Sequence, residues 1–182
     1  QSLRTENMVP SPFYRANELR DYYNELTLRF KKDWNVEFRA YNDGIAYRFV
    51  SRSKKPFNVV DETVDYRFPS DMVASVPYVK SGKDGDYESQ YFNSFENTYT
   101  TDRLSKLNKK RLMFLPLVVD AGEGVKICIT ESGLENYPGL YLSAAEGEKR
   151  LTGQFAPYPK KTVQGGHNQL QMLVKEREAY IA

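Results

Sequence analysis

The sequence predicts an all-β, antiparallel domain of the sandwich or barrel kind. Short apolar-alternating runs recur along the chain, separated by Gly, Pro, Asn and Asp clusters that suit turns. One pair of runs, "VEFRAYNDGIAYRFV" at residues 36–50, reads as a β-hairpin. Aromatic residues make up 14% of the chain, with fourteen Tyr and ten Phe, and such rings pack well on pleated surfaces.

Taken in order, residues 1–16 are polar and broken by Pro10 and Pro12, and read as a lead-in to a domain over 17–182. "NELRDYYNELTLRF" at 17–30 fits a helical stripe through Leu19, Tyr22 or Tyr23, Leu26 and Phe30. It also fits strand alternation through Leu26, Leu28 and Phe30. Its β-favouring end predicts a strand from about Tyr23. In the hairpin, Val36, Phe38 and Ala40 point one way and Glu37, Arg39 and Tyr41 the other, with Asp43-Gly44 supplying the turn. "VVDETVDYRF" at 59–68 reads as a strand with one wet face. "MVASVPYV" at 72–79 and "ESQYFNSF" at 88–95 read as strands on either side of the turn-rich "KSGKDGD". "RLMFLPLVVD" at 111–120 is continuously apolar, as a strand buried on both faces would be. "AGEG" then turns the chain into "VKICITE", a second hairpin. "LYLSA", "LTGQFAP" and "LQMLVKERE" complete the strands, although the last also fits a helix.

Composition excludes several functions. The net charge is +2, without the dense basic footprint of a nucleic-acid binder. The basic run "KLNKKR" at 106–111 is short and reads as a solvated loop. A single Cys forbids an internal disulfide, and Cys128, between Ile127 and Ile129, reads as a small packed side chain. With one His, neither a multi-His zinc site nor a Cys–His catalytic pair is expected within this chain. No run is long and apolar enough to span a bilayer, and no signal peptide is visible before "QSLRTEN". Phosphate-cradling Gly motifs and HExxH are missing from the sequence.

Two places remain as candidate sites. "VQGGHN" at 163–168 reads as a flexible loop, with ligand contact through His167 and Asn168 as the alternative. Glu131 ends the apolar run of the second hairpin and precedes "SGLENYPG", a stretch stiffened by Pro138. It reads either as a strand end or as a metal ligand. A hard cation such as Ca²⁺ takes roughly six to eight oxygens, so one Glu is not a complete site.

Beyond these local readings, "FRAYNDGIAYRF", "ITESGLENYPGLYL", "FAPYP" and "REAYIA" together resemble the amino-terminal domain of glycoside hydrolase family 97. The resemblance runs from about Asn17 to the carboxyl end. The family comprises bacterial α-glucosidases and α-galactosidases typical of gut Bacteroidetes. The resemblance implies a galactose-mutarotase-like β-super-sandwich, here truncated at both ends. It places the catalytic acid and its partner carboxylate in a (β/α)₈ barrel elsewhere in the parent chain, so that this chain alone would be inactive. It also implies that Glu131 is a ligand of an active-site Ca²⁺ shared with that barrel. The family's "ITEA" stands here with Ser132 in place of Ala. An α-linked oligosaccharide substrate and a periplasmic location follow from the same resemblance. An autonomous carbohydrate-binding module and a purely structural domain stay open as alternatives.

Overall fold

The computed structural model describes residues 2–11, 15–145, 147–164, 170–172 and 176–182. The chain divides into two compact units, Gln1–Phe57 and Asn58–Ala182. Among the described residues nearly all regular structure is strand, and every ladder is antiparallel.

In the first unit, β1 (Ser2–Pro10), β2 (Glu18–Arg29), β3 (Trp34–Ala40) and β4 (Ile45–Ser51) form one sheet in that order. Most of the expected lead-in is therefore strand. Its own pattern hides this, because β1 has no apolar alternation. Pairing decides it: all nine β1 residues face β2 partners. Glu6 meets Arg20 at 2.5 Å, and the guanidinium groups of Arg4 and Arg20 lie over the Tyr22 ring. The same pairing extends β2 back to Glu18, ahead of the Tyr23 start expected.

The predicted hairpin is present as β3 and β4. The Tyr41 N–H donates to the Gly44 carbonyl at 2.8 Å, so the turn centres on Asn42-Asp43, one residue earlier than expected. Register and side-chain alternation place Leu26, Leu28, Val36, Phe38, Tyr47 and Phe49 on one face. The other face carries the ion pairs Arg39–Glu25 at 2.9 Å and Arg48–Glu37 at 2.7 Å.

The second unit holds β5 (Asp65–Arg67), β6 (Val73–Pro77), helix α1 (Tyr87–Gln90), β7 (Tyr99–Arg103), β8 (Leu117–Gly122), β9 (Val125–Ile129), β10 (Leu140–Ala144), β11 (Arg150–Phe155), β12 (Thr162–Gln164) and β13 (Leu170–Met172). One sheet has the order β7-β6-β8-β9, another β10-β11-β5, and β12 pairs with β13. The two larger sheets share one core. Ala74 and Val76 of β6 and Leu117 and Val119 of β8 join Leu142 of β10 and Leu151 of β11 there. This is the sandwich that the sequence predicts.

Strand β10 is buried along its whole length. Leu140, Leu142 and Ala144 enter the shared core, while Tyr141 enters a second cluster with Val79, Leu112 and Phe114. The segment around Met113 runs beside it, with Met113 and Leu142 exchanging two backbone hydrogen bonds of 2.8 Å.

Several expectations shift. Of residues 59–68 only Asp65–Arg67 is strand. Of the run 111–120 only the part from Leu117 is strand; before it Met113 makes isolated bridges, and Pro116 has no N–H to give a ladder. Cys128 is exposed rather than packed. It lies on an edge strand, on the face opposite buried Ile129. Strands β7 and β12 went unforeseen. The β8–β9 hairpin is as expected, with Glu123 and Gly124 both left-handed as a two-residue turn requires.

"ESQYFNSF" does not form a strand but opens with α1, and the cause is Gln90. Its fully buried amide donates to the carbonyls of Lys83 and Lys110 at 2.7 and 2.8 Å and accepts the Leu112 N–H at 2.8 Å. Gly82 lets this knot close. Its φ is +84°, and a Cβ there would sit 2.6 Å from the Ser89 carbonyl oxygen. The knot also ties down part of the basic run expected as a loose loop. Leu107 is buried, and Arg111 pairs with Asp84 at 2.8 Å. Gln90→Met keeps the volume but leaves the Leu112 N–H without its partner, while the Lys83 and Lys110 carbonyls still accept the N–H groups of Asp86 and Gly85. It is expected to cost about 1–3 kcal/mol, read from urea unfolding midpoints. A change below about 1 kcal/mol would show that water reaches the Leu112 N–H.

Candidate functional site

Ten residues, 130–139, connect β9 to β10. Glu131 does not end a strand, since β9 stops at Ile129. Its side chain folds back across the loop. Both carboxylate oxygens accept the Leu140 N–H, at 2.9 and 3.0 Å. Leu140 is the first residue of β10 and is buried, so its N–H needs a partner where water is scarce. Gly139 permits the approach, because a Cβ there would stand 3.3 Å from Glu131 Oε1.

A second tie holds the loop from the other side. The Tyr137 hydroxyl donates to Glu62 Oε2 at 2.5 Å across 75 residues of sequence. The Tyr137 ring meets Phe155 of β11 edge-on at 5.9 Å. Between the ties, Ser132 to Asn136 is exposed, with Gly133 and Asn136 left-handed. Loops held in this way on a rigid scaffold are common carriers of function.

The electrostatics are those of crowded carboxylates. Burial pushes the Glu131 carboxyl above its ordinary value, the Leu140 N–H pulls it back in part, and the charge of Glu62 pushes it up again. The Tyr137 hydroxyl is raised well above the usual phenol range by burial, then by its bond to Glu62, with the charges of Glu62 and Asp61 adding. It therefore stays a hydrogen-bond donor at neutral pH.

The chemistry of Glu131 and Glu62 fits a hard cation. Each carboxylate oxygen has two lone pairs, so the bond to Leu140 leaves acceptor capacity on Glu131. The number of donors is incomplete: among the described residues no group of three or more His, Cys, Asp or Glu is arranged to hold a metal. His167 and Asn168 lie outside the described residues. Glu62 and Tyr137 were not foreseen. Tyr137 reads in sequence as part of a turn, and nothing in the pattern of 59–68 marks Glu62.

A separate aromatic network lies around Tyr141. Asn93 Nδ2 donates to the Tyr141 hydroxyl at 3.0 Å, and Phe95 stacks on the Tyr141 ring at 5.8 Å. Burial pushes the neighbouring Tyr91 hydroxyl up to about 12. This network buttresses the outer side of β10. Among the described residues no helix is long and apolar enough to cross a membrane.

The glycosyl-hydrolase 97 N-terminal family matches residues 2–176, which takes in all of β1 to β13. The chain belongs to this family. It is 81% identical over 177 residues to a retaining alpha-galactosidase of Bacteroides thetaiotaomicron, covering 97% of this chain and 27% of that protein. It also resembles a glycoside hydrolase family 97 enzyme from Pseudoalteromonas sp. strain K8, solved in complex with acarbose. There the TM-score is 0.66 at 18% identity, over 87% of this chain and 23% of that one. A variant of that enzyme with panose gives a TM-score of 0.63 at the same identity and coverage. At such identity the likeness speaks for the fold. The chain thus spans about a quarter of the length of these relatives.

The raised Glu131 carboxyl has a consequence for pH. The folded chain holds this proton more tightly than the unfolded one. The stability so gained is present below the ordinary carboxylate range and is lost as pH rises through the folded pKa. Glu131→Gln stays neutral and keeps an oxygen for the Leu140 N–H. It is expected to gain stability on wild type as pH rises from about 4 to about 7, read as a difference in urea midpoints. A difference that stays flat would mean that the folded protein solvates this charge fully.

Proposed function

We propose that this chain is the non-catalytic amino-terminal β domain of a larger exported glycoside hydrolase that removes terminal α-linked galactose with retention. The observation that carries this reading is the 81% identity, over 97% of the chain, to a retaining alpha-galactosidase. It favours galactosides over the glucosides that the sequence alone left equally open. Retaining hydrolysis requires two carboxyl groups about 5–5.5 Å apart across the scissile bond. In this reading both belong to the barrel, and the domain serves the site from its rim.

Glu131 is the residue by which it does so. Its carboxylate is fixed on the Leu140 N–H, partly desolvated and beside Glu62, so a divalent cation would relieve an unfavourable charge environment. Together with groups from the rest of the parent, it would hold Ca²⁺. Such an ion supplies positive charge that orders carboxylates and stabilises developing negative charge. The chain's own task is to keep one ligand rigid, because the Glu131 carboxylate is held by its bond to the Leu140 N–H, for which Gly139 leaves room.

The test uses the full-length parent, stripped with chelator and titrated with calcium on aryl α-galactoside and aryl α-glucoside. The galactoside is expected to be the better substrate. Glu131→Gln is expected to raise the half-activating calcium concentration by roughly tenfold or more. Identical curves for variant and wild type would leave Glu131 as a cap of β10 only. The isolated chain is expected to turn over neither substrate, and turnover by a contaminant-free sample would overturn the non-catalytic reading.

A further inference from the structure

We infer that Tyr137 and Glu62 form a positioning latch that sets how the Glu131 loop presents its carboxylate. This inference rests on the calcium reading of Glu131 and extends it to two residues that would act through Glu131 rather than as ligands.

The loop from β9 to β10 has two attachments of different kinds. One is internal, Glu131 to the N–H of Leu140, and it closes the loop on itself. It holds the carboxylate relative to the start of β10. It does nothing to fix the intervening residues, which include two left-handed positions, Gly133 and Asn136. The other attachment is external. The Tyr137 ring stands on Phe155, and its hydroxyl reaches Glu62, just ahead of buried Val64 and strand β5. β5 pairs with β11, and β11 pairs with β10. The latch therefore ties the loop to the far side of the sheet that Glu131 caps.

The chemistry explains why the tie is Tyr to Glu. A phenol donating to an ionised carboxylate is a charge-assisted bond, stronger than a neutral pair. The bond also occupies Glu62 and turns it into a fixed neighbour for Glu131. Without the hydroxyl, Glu62 has a lone charge beside Glu131 and no donor to hold it. Its carboxylate would swing toward water, and the loop would lose its second anchor. Residues that orient a metal ligand in this way typically change metal affinity by about 10–100-fold when removed.

The experiment uses the full-length parent after chelation, in wild type and in Tyr137→Phe, Glu62→Gln, Glu62→Ala and Glu131→Gln. Amide hydrogen exchange at Leu140 is followed without metal, and Ca²⁺ affinity is measured by calorimetry. Tyr137→Phe keeps the ring on Phe155 and loses only the hydroxyl. It is expected to speed Leu140 exchange and to weaken Ca²⁺ binding by about tenfold. Glu62→Gln keeps an acceptor for the hydroxyl and should be milder than Glu62→Ala in both readouts.

Unchanged Leu140 exchange in Tyr137→Phe overturns the latch, whatever calcium does. Faster exchange with unchanged affinity, while Glu131→Gln still weakens binding, overturns the latch and leaves the calcium reading standing. Should Glu131→Gln bind Ca²⁺ like wild type, the calcium reading falls, and the latch as a device for presenting a ligand falls with it. If Glu62→Gln is as weak as Glu62→Ala while Leu140 exchange stays normal, Glu62 acts by its charge at the ion, and its positioning role is overturned.

Discussion

The burial of β10 is the constraint on which the second unit depends. This strand has no wet face. Leu140 and Leu142 fill the core between the two larger sheets, and Tyr141 fills a smaller cluster behind it. A strand so enclosed must have its backbone groups satisfied by protein. β11 serves one edge, and Met113 reaches Leu142 from the other. The Leu140 N–H at the strand's beginning is served by a side chain, and that side chain is Glu131. The same requirement that makes the core cohere therefore draws a carboxylate into a defined place at the edge of the sandwich.

This gives Glu131 one structural duty, and the proposed calcium role would add a second. As an acceptor it completes β10. As a charge it is poorly solvated and close to Glu62, which raises its proton affinity and would raise its affinity for a cation. Structure and chemistry are not alternatives at this position. In the proposed calcium role, the bond of Glu131 to its own scaffold would preorganise it, as a site shared between domains would need if its ligands are to arrive in register. Gly139 is part of the same arrangement, since a larger residue would crowd the carboxylate it lies against.

Rigid polar knots recur elsewhere in this unit. Gln90 binds three backbone groups of distant segments, and Asp71 accepts both the N–H and the hydroxyl of Ser105 at 2.9 and 2.7 Å. Each fixes irregular chain against sheet without adding apolar surface. The first unit works differently. Its four strands are held in register by antiparallel pairing, with the Arg39–Glu25 and Arg48–Glu37 pairs on the face opposite Leu26, Leu28, Val36 and Phe38.

The sequence by itself determined the fold class, both hairpins and strand β10, because each rests on local alternation and turn chemistry that a short window contains. It singled out Glu131 as a residue to explain, and the quoted motifs carried the family resemblance. Only the tertiary structure decided the rest. β1 has no pattern of its own and exists through its pairing with β2. "ESQYFNSF" yields to the buried amide of Gln90, whose three partners lie 7 to 22 residues away. Cys128 is exposed because it lies on the face of β9 opposite buried Ile129. Glu62 and Tyr137, 75 residues apart, meet through the β10-β11-β5 order of one sheet. Periodicity records which face a residue shows to its own strand. It does not record which strand lies next to it, and the candidate site is built from that second kind of information.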